Sequence, residues 1–269
     1  MENLTVIIPV HIFDEKVKEY LGKAINSVYQ QKNTDCKIIL VGPSEIMVDL
    51  NKNFNDDKIE LLTNDGESDY CSQINFAVKT IKTKFFSILG FDDEYSETWF
   101  LNVEKYIKHM PEYSLYMPIV NLINKDDKKV GSVNEIIWAM SFSNDEIGVI
   151  DSDTLQSYYD FSPNGGVFRT DDFIQVGMLK PSIKLSFWYE FLLRATNEDL
   201  KIYVIPKNGY YQLIDREGSI LEQTSKEMDA KQRDWWIKLA NKEYFFKKER
   251  KQSYTYVSEK DLADIDGLK

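Results

Sequence analysis

Two adjacent carboxylates, Asp92 and Asp93, follow an apolar run that has the composition of a buried strand. Neighbouring carboxylates at such a position repel each other, and burial adds a desolvation cost to ionising both. A divalent cation removes that repulsion and also supplies a bridge to a diphosphate. The pair therefore predicts a metal site, while a solvated acidic turn before the next helix is the structural alternative.

Cysteine and histidine content restricts the kind of metal that such a site would hold. The chain contains two cysteines, Cys36 and Cys71, and two histidines, His11 and His109. These are too few for a disulfide framework and nearly exclude a Cys/His zinc site. Any metal is therefore expected to be a hard cation on oxygen ligands.

Composition and charge are those of a globular protein. Of 269 residues, 43% are hydrophobic and 29% charged, and the net charge is -11. That charge disfavours non-specific binding to nucleic acid or to anionic lipid. No apolar run approaches the roughly 20 residues of a spanning helix, and the first residues do not resemble a signal peptide. A cytoplasmic protein is expected.

The elements that must position Asp92 and Asp93 alternate between two hydrophobic periodicities. Continuous apolar runs predict strands, and apolar residues at helical spacing predict helices between them. The predicted strands are Leu4 to Val10, Lys37 to Val41, Ile59 to Leu62, Phe85 to Phe91 and Leu115 to Val120, with helices at 17–28, 70–81 and 99–107. This alternation predicts a parallel α/β sheet, with the loops after Val10, Val41 and Phe91 meeting at its carboxyl edge.

The second half of the chain is less regular. Residues 162–166 are a strong turn signal, residues 185–195 predict a buried helix, and residues 201–205 predict a last strand that ends at Pro206. Residues 226–250 predict a charged helix that is the one basic region of the chain. A solvated face explains its charge, and self-association or docking on a polyanionic acceptor or a membrane are alternatives.

Seven short segments resemble, in the same order, those of family 2 glycosyltransferases. They are Thr5 to Val10, Ala24 to Gln31, Asn64 to Asn75, Phe85 to Asp93, Asn164 to Gly177, Glu190 to Arg194, and Gly218-Ser219. The resemblance implies a GT-A-like α/β fold, that of nucleotide-diphospho-sugar transferases, with a parallel-centred mixed sheet flanked by helices. It also implies a nucleotide-binding half at 1–115, an acceptor half at 116–220 and a helical tail at 221–269.

The resemblance further implies which residues bind the donor. Pro9, Val10 and His11 would contact the nucleotide base, mostly through backbone, and Asp65 would lie near the base or ribose. Gly165 and Gly166 would let the backbone approach the donor sugar closely. Two structural alternatives stay open: His11 as a polar strand end, and the two glycines as a turn.

A divalent metal, Mn²⁺ or Mg²⁺, is the cofactor that the resemblance implies. Asp92 and Asp93 would approach the ribose and the metal, with Asp93 as the preferred ligand. The family often supplies a late histidine to the metal, but no histidine follows His109. Asp215 or a water would then complete the coordination, and the metal would act as a Lewis acid for the departing diphosphate.

Three positions depart from the family pattern. Gly42 and Gly90 stand where the family has aspartates, and Trp188 stands where it has the catalytic base. Glu190, two residues further on, is the first candidate to replace that base. It could instead favour a helix N-terminus or pair with Arg194 at i+4.

A second candidate base, Asp160, lies outside that helix. The Glu198-Asp199 pair resembles a displaced family motif, but its place just before the last strand predicts a loop.

The implied activity is that of a hexosyl or related transferase. It would move a sugar, with inversion and metal assistance, from a nucleoside-diphosphate sugar, expected to be a UDP-sugar. The acceptor could be a glycan, a lipid carrier, a protein or a modified nucleic acid. The lost carboxylates support an alternative, a catalytically degenerate GT-A-fold protein that serves as a sugar-nucleotide-binding or structural module.

Overall fold

The computed structural model describes residues 3–32, 35–135, 148–183, 186–214, 216 and 229–245. Within them, the strands are β1 (Leu4–Pro9), β2 (Lys37–Gly42), β3 (Ile59–Thr63), β4 (Phe85–Ile88), β5 (Glu94–Tyr95), β6 (Leu115–Ile123), β7 (Lys129–Val133), β8 (Val149–Ile150), β9 (Val167–Arg169) and β10 (Ile202–Leu213). The helices are α1 (Glu15–Tyr29), α2 (Ser44–Asn53), α3 (Tyr70–Thr80), α4 (Trp99–His109), α5 (Ser152–Ser157), α6 (Thr170–Gln175), α7 (Phe187–Asn197) and α8 (Ala230–Phe245).

These strands form one mixed sheet with a parallel block at its centre. The order is β3-β2-β1-β4-β9-β6-β10-β5, with β7 on β6 and β8 on β10. β1 to β4 pair in parallel, and β9 lies antiparallel between β4 and β6. β10 runs parallel to β6 and antiparallel to β5. The predicted parallel-centred α/β architecture is confirmed.

Both faces of the sheet are covered, which is why its central strands are apolar without interruption. In β1, Val6 and Ile8 belong to one hydrophobic core and Ile7 to the other. The first core also takes apolar residues of α1 and α4, and the second takes those of α3, α6 and α7. Asp14 fixes the start of α1, since its carboxylate accepts a hydrogen bond of 2.7 Å from the Val17 N–H.

Two predicted strands have different ends in the structure. β4 ends at Ile88 rather than at Phe91, because the chain turns there and the Asp93 N–H donates to the Gly90 carbonyl at 3.1 Å. β10 continues to Leu213 instead of ending at Pro206. Its register on β6 shifts around this proline, so that the missing N–H does not end the pairing.

The two proposed halves of the chain share the sheet, since β9 and β10 pair with β4 and β5. The boundary near residue 115 stays a prediction. The part of the C-terminal tail that the structure describes includes α8, which packs on α7 and buries Ala240. Among the described helices, none has both the length and the apolar character needed to cross a membrane.

Candidate active site

Asp92 and Asp93 lie in the turn after β4, at the carboxyl edge of the parallel block. His11 follows β1, the next strand in the sheet, so the loops after β1 and β4 are neighbours. The imidazole of His11 and the ring of Phe91 have centroids 5.5 Å apart. The predicted meeting of these two loops is therefore present in the structure.

The carboxylate of Asp93 is held inside the protein. The residue is 7% exposed. Its Oδ2 accepts a hydrogen bond from the Tyr210 hydroxyl at 2.7 Å, and its Oδ1 accepts one from the Leu213 N–H at 2.8 Å. Burial, followed by the charge of Asp92, raises the pKa of Asp93 well above its ordinary value, and the two hydrogen bonds oppose that shift. Asp93 thus anchors the end of β10 to the turn after β4.

The carboxylate of Asp92 is paired with a cation. The Nε of Arg216 donates to Asp92 Oδ2, and the two side chains are 8% and 15% exposed, respectively. The guanidinium also lies over the ring of Phe91, with its carbon 4.8 Å from the ring centroid. The positive charge that the adjacent carboxylates require is therefore supplied by an arginine of the same chain.

His11 is exposed, as its predicted position at the end of β1 requires. Desolvation of its ring lowers the pKa of His11, the charge of Arg216 lowers it further, and the charge of Asp92 acts in the opposite direction. Pro9 and Val10 are buried, and the Val10 N–H donates to the Val41 carbonyl at 2.8 Å. Contact with a base through the backbone at these positions stays a prediction.

Asp65 connects the loops that follow β2 and β3. It is exposed, and its Oδ1 accepts a hydrogen bond of 2.7 Å from the Ser44 N–H at the start of α2. The Asn64 N–H donates to the Gly42 carbonyl at 2.9 Å in the same region. Asp65 therefore shapes the edge next to β1, and its predicted role near the base or ribose stays a prediction.

At two positions where the family has an aspartate, this chain has a glycine and no room for a side chain. A Cβ at Gly42 would come within 3.0 Å of the Val10 carbonyl oxygen, a backbone atom. A Cβ at Gly90 would lie 2.5 Å from Asp93 Oδ2. Because the Asp93 carboxylate is fixed by two hydrogen bonds, it has little freedom to move away. These glycines belong to the packing of the edge.

Gly165 packs against Tyr210, the residue that binds Asp93, and Gly166 packs against Pro163 and Leu115. Gly165 has a φ of +70°, and a Cβ there would overlap the ring of Tyr210. The Gly165 carbonyl accepts a hydrogen bond from Trp99 Nε1, and the Gly166 carbonyl accepts one from the Ser87 hydroxyl. Gly165 therefore leaves the space that the Tyr210 ring occupies, and the approach of both glycines to a donor sugar stays a prediction.

Glu190 lies in the first turn of α7 and is fully buried. Arg194 donates to both of its carboxylate oxygens, at 2.8 and 2.9 Å, and Lys180 Nζ lies 3.3 Å from Oε1. The predicted alternative, a pair with Arg194 at i+4, is confirmed. The role of Glu190 as the base stays a prediction, and its burial does not support it.

Trp188, at the position of the family's catalytic base, packs against the core, whereas Asp160 is exposed. Trp188 stacks on Phe168, with ring centroids 5.8 Å apart and an interplanar angle of 18°. Asp160 is exposed and lies just before β9. Since β9 is antiparallel to β4, the segment that precedes it arrives at the same sheet edge as Asp92. Glu198 ends α7, and Asp199 follows it in a turn, as the sequence predicts.

The described carboxylates do not fit a divalent cation in this arrangement. Both oxygens of Asp93 accept hydrogen bonds from the protein, and Asp92 faces the guanidinium of Arg216. Nowhere in the described ranges do three or more His, Cys, Asp or Glu side chains group around a common point. Asp215, the predicted third ligand, lies outside the described residues.

Sequence reasoning missed two residues of this site, Arg216 and Tyr210. The repulsion between Asp92 and Asp93 indicates that a cation is needed, and the sequence predicts a metal in that role. The arginine next to Asp215 could have been considered for that role. No sequence signal identifies Tyr210 as the partner of Asp93, because the contact joins residues 117 positions apart.

One family model matches the chain, and solved structures share its fold. A sequence model described as Glycosyl transferase family 2 matches residues 5–161, and no curated protein gives a significant match. The crystal structure of S. aureus TarS 1-349 has a TM-score of 0.60 at 14% identity, over 99% of this chain and 79% of that one. TarS 1-349 in complex with UDP-GlcNAc has a TM-score of 0.59 at 14% identity, over 91% and 73%.

The same protein in complex with UDP has a TM-score of 0.58 at 14% identity, over 91% of this chain and 72% of that one. The family match extends over more than half of the chain, and the structural likeness is that of the fold. The chain therefore belongs to glycosyl transferase family 2 and has the GT-A fold that its sequence predicts.

Proposed function

We propose that the protein transfers a sugar from a UDP-sugar to an acceptor hydroxyl. The observation that carries the proposal is the cluster of His11, Asp92 and Arg216 at the carboxyl edge of a family 2 sheet. Ligands of open α/β sheets bind at that edge. TarS, which shares the fold, is known in complex with UDP and with UDP-GlcNAc, and this supports a uridine nucleotide as the donor.

Binding of the donor would use the loops that this edge brings together. The exposed imidazole of His11 lies in the loop after β1, and the exposed carboxylate of Asp65 is bonded to the loop after β2, where a base and ribose would lie. Divalent-metal dependence is the finer expectation from the family, but the proposal includes no step through a metal, because Asp92 and Asp93 do not fit one as they are arranged.

Asp160 is the base that we propose for the acceptor hydroxyl. It is exposed and lies in the segment that leads into β9 at the active edge, whereas the Glu190 carboxylate is buried and pairs with Arg194 and Lys180. An exposed carboxylate can accept a proton from an acceptor and pass it to water, and general base catalysis contributes about 10²- to 10⁴-fold in rate. Inversion at the anomeric carbon is expected for a reaction that needs a single base.

Release of UDP tests the proposal. The purified protein is incubated with UDP-GlcNAc or another UDP-sugar, with and without glycan, lipid-carrier and protein acceptors, and free UDP is measured. We expect acceptor-stimulated UDP release by the parent. Asp160→Asn should lower it by about 10²-fold or more while UDP binding is retained. Asp171→Asn changes an exposed carboxylate on α6, beyond the other end of β9, and is the matched control.

A non-catalytic binding module is the second candidate. The stacking of Trp188 on Phe168 at the family's base position favours it, since that site holds no proton acceptor. UDP-sugar binding without UDP release, across all acceptors and in the presence of Mn²⁺ or Mg²⁺, would select the module over the enzyme. Failure to bind any uridine nucleotide would reject both candidates.

A further inference from the structure

We propose that Arg216 is the cationic group that binds the diphosphate of the donor, so that donor binding by this chain does not require a divalent metal. The inference rests on the proposed function, because it concerns the same nucleotide. It differs from the expectation drawn from the family, in which a metal neutralises the carboxylates and the diphosphate together.

The first argument is position. Arg216 contacts Asp92 and Phe91, the residues of the turn after β4, and its charge acts on His11 after β1. Both loops lie at the carboxyl edge of the parallel block. The guanidinium is therefore at the place where the resemblance predicts a metal, between the loop assigned to the base and the carboxylates assigned to the ribose and the metal.

The second argument is charge. The metal was predicted because Asp92 and Asp93 repel each other, and the Arg216–Asp92 ion pair already relieves that repulsion. A divalent ion at Asp92 would have to displace the guanidinium that pairs with this carboxylate, and would face its positive charge. The second carboxylate offers no compensation, because both oxygens of Asp93 accept hydrogen bonds from the protein.

The third argument is the chemistry of the guanidinium. Its planar group has five N–H donors in a fork that matches phosphate oxygens, so one arginine can serve a carboxylate and a phosphate together. Asp92 then has the role of a positioning residue that orients the guanidinium, rather than that of a metal ligand.

The fourth argument is pre-organisation. The Leu213 N–H is fixed on Asp93, three residues before Arg216, and the guanidinium packs on the ring of Phe91 at 4.8 Å. An arginine that is ordered before its ligand arrives does not lose its side-chain entropy on binding. The Asp93 anchor thus places Arg216 at the edge independently of the nucleotide.

The test separates the diphosphate from the nucleoside. Dissociation constants for uridine and UDP are measured by ligand-observed NMR or calorimetry, in EDTA and in Mn²⁺, for the parent, Arg216→Ala and Arg216→Lys. Lys108→Ala is the matched control, because this exposed cation lies in the last turn of α4, towards the opposite edge of the sheet. Thermal unfolding establishes that each variant is folded.

In EDTA, UDP should bind the parent at least about 10-fold more tightly than uridine does. Arg216→Ala should weaken UDP by about 10- to 100-fold and leave uridine unchanged, as expected for the loss of hydrogen bonds between charged groups. Arg216→Lys should retain part of the UDP affinity, and Lys108→Ala all of it.

Two results would overturn the inference while leaving the proposed function in place. One is a UDP affinity that equals that of uridine in EDTA and rises only with Mn²⁺. The other is an Arg216→Ala variant that keeps the full preference for UDP over uridine. If neither uridine nor UDP binds under any condition, the proposed donor is wrong, and the role of Arg216 is rejected with it.

Discussion

Two carboxylate–arginine pairs of this protein have similar chemistry and different surroundings. Glu190 and Arg194 lie within α7 with 0% and 7% of their side chains exposed, whereas Asp92 and Arg216 lie where loops meet at the sheet edge. Arg194 also donates to the backbone carbonyls of Val176 and Met178, so its fork is used within the fold. We expect the pair inside α7 to act in stability, and the pair at the edge is the one that we propose to bind a ligand.

The turn at 176–179, whose carbonyls bind Arg194, is also held by a residue of α3. Asn75 of α3 makes two hydrogen bonds with the backbone of Leu179, donating at 2.8 Å and accepting at 3.0 Å. Gly177 and Met178 have positive φ values in this turn. The family-like segments around Asn75, Gly177 and Glu190 therefore act together, as a clamp that joins α3 to α7.

Arg194→Ala should have the largest effect and should separate the two pairs most clearly. It leaves the Glu190 carboxylate buried without the guanidinium that donates to both of its oxygens. Removal of one partner of a buried ion pair costs about 3–5 kcal/mol. Chemical denaturation measures the free energy of unfolding. Lys238→Ala, in an exposed i,i+4 pair with Asp234, is the control and should change it by less than about 0.5 kcal/mol. Equal effects of the two variants would contradict the comparison.

Gly42→Ala tests whether the carboxyl edge of the sheet is packed as tightly as the clamp between α3 and α7. The new Cβ would meet the backbone carbonyl of Val10, so β1 and β2 must separate at their ends, at a cost of about 2–3 kcal/mol. Gly22→Ala is the matched control, because no atom lies within 4 Å of a Cβ in that position of α1. It should raise the free energy of unfolding by about 0.5–1 kcal/mol. Effects of the same sign would show that the edge has room.

Tyr210→Phe tests the hydrogen bond that holds Asp93, the residue next to the Asp92–Arg216 pair. The variant removes the hydroxyl that donates to Asp93 and accepts from the Gly90 N–H at 2.9 Å. We expect a loss of about 1–2 kcal/mol in the free energy of unfolding, because buried polar groups lose a partner. Tyr211→Phe, at the exposed neighbouring position, should have no measurable effect. A neutral Tyr210→Phe would mean that Asp93 is held by Leu213 alone.

The smallest expected effect is a pH dependence of stability that arises from His11 at the sheet edge. The pKa of His11 is below its ordinary value of 6.5 in the folded protein, so the unfolded chain takes up this proton at higher pH. Stability from His11 is therefore complete above that value and decreases as pH falls through it. Melting temperatures between about pH 5 and about pH 8 should show a weaker dependence in His11→Gln. His109→Gln changes an exposed histidine on α4 and should keep the parental slope.

The first half of the fold was predictable because its strands are buried on both faces. Such strands are continuous apolar runs, and the helices between them keep one apolar face, so β1, β2, β3, α1, α3 and α4 follow from periodicity. β9 was not predicted, since three residues are too few for a periodic pattern. α2 was missed for a related reason, because Leu50 is its only fully buried residue within the described chain.

The site was predictable where it depends on chain order and not where it depends on long-range contacts. The junction of β4 with Asp92 and Asp93 was located from the sequence, and the i,i+4 pairing of Glu190 was recognised as an alternative. The partners Arg216 and Tyr210 reach the turn from the far end of β10. Only the sheet topology, with β10 beyond β9 and β6, reveals that encounter.

The position of β9 also has a consequence for how the chain is synthesised. β9 completes the sheet between β4 and β6, yet the ribosome makes it after both of them. Until Arg169 has emerged, a nascent chain has two strand edges without the partner that finally separates them, and such edges pair readily with other chains. Co-translational folding of this protein is therefore expected to finish late, with the early strands dependent on chaperones until the inserted strand arrives.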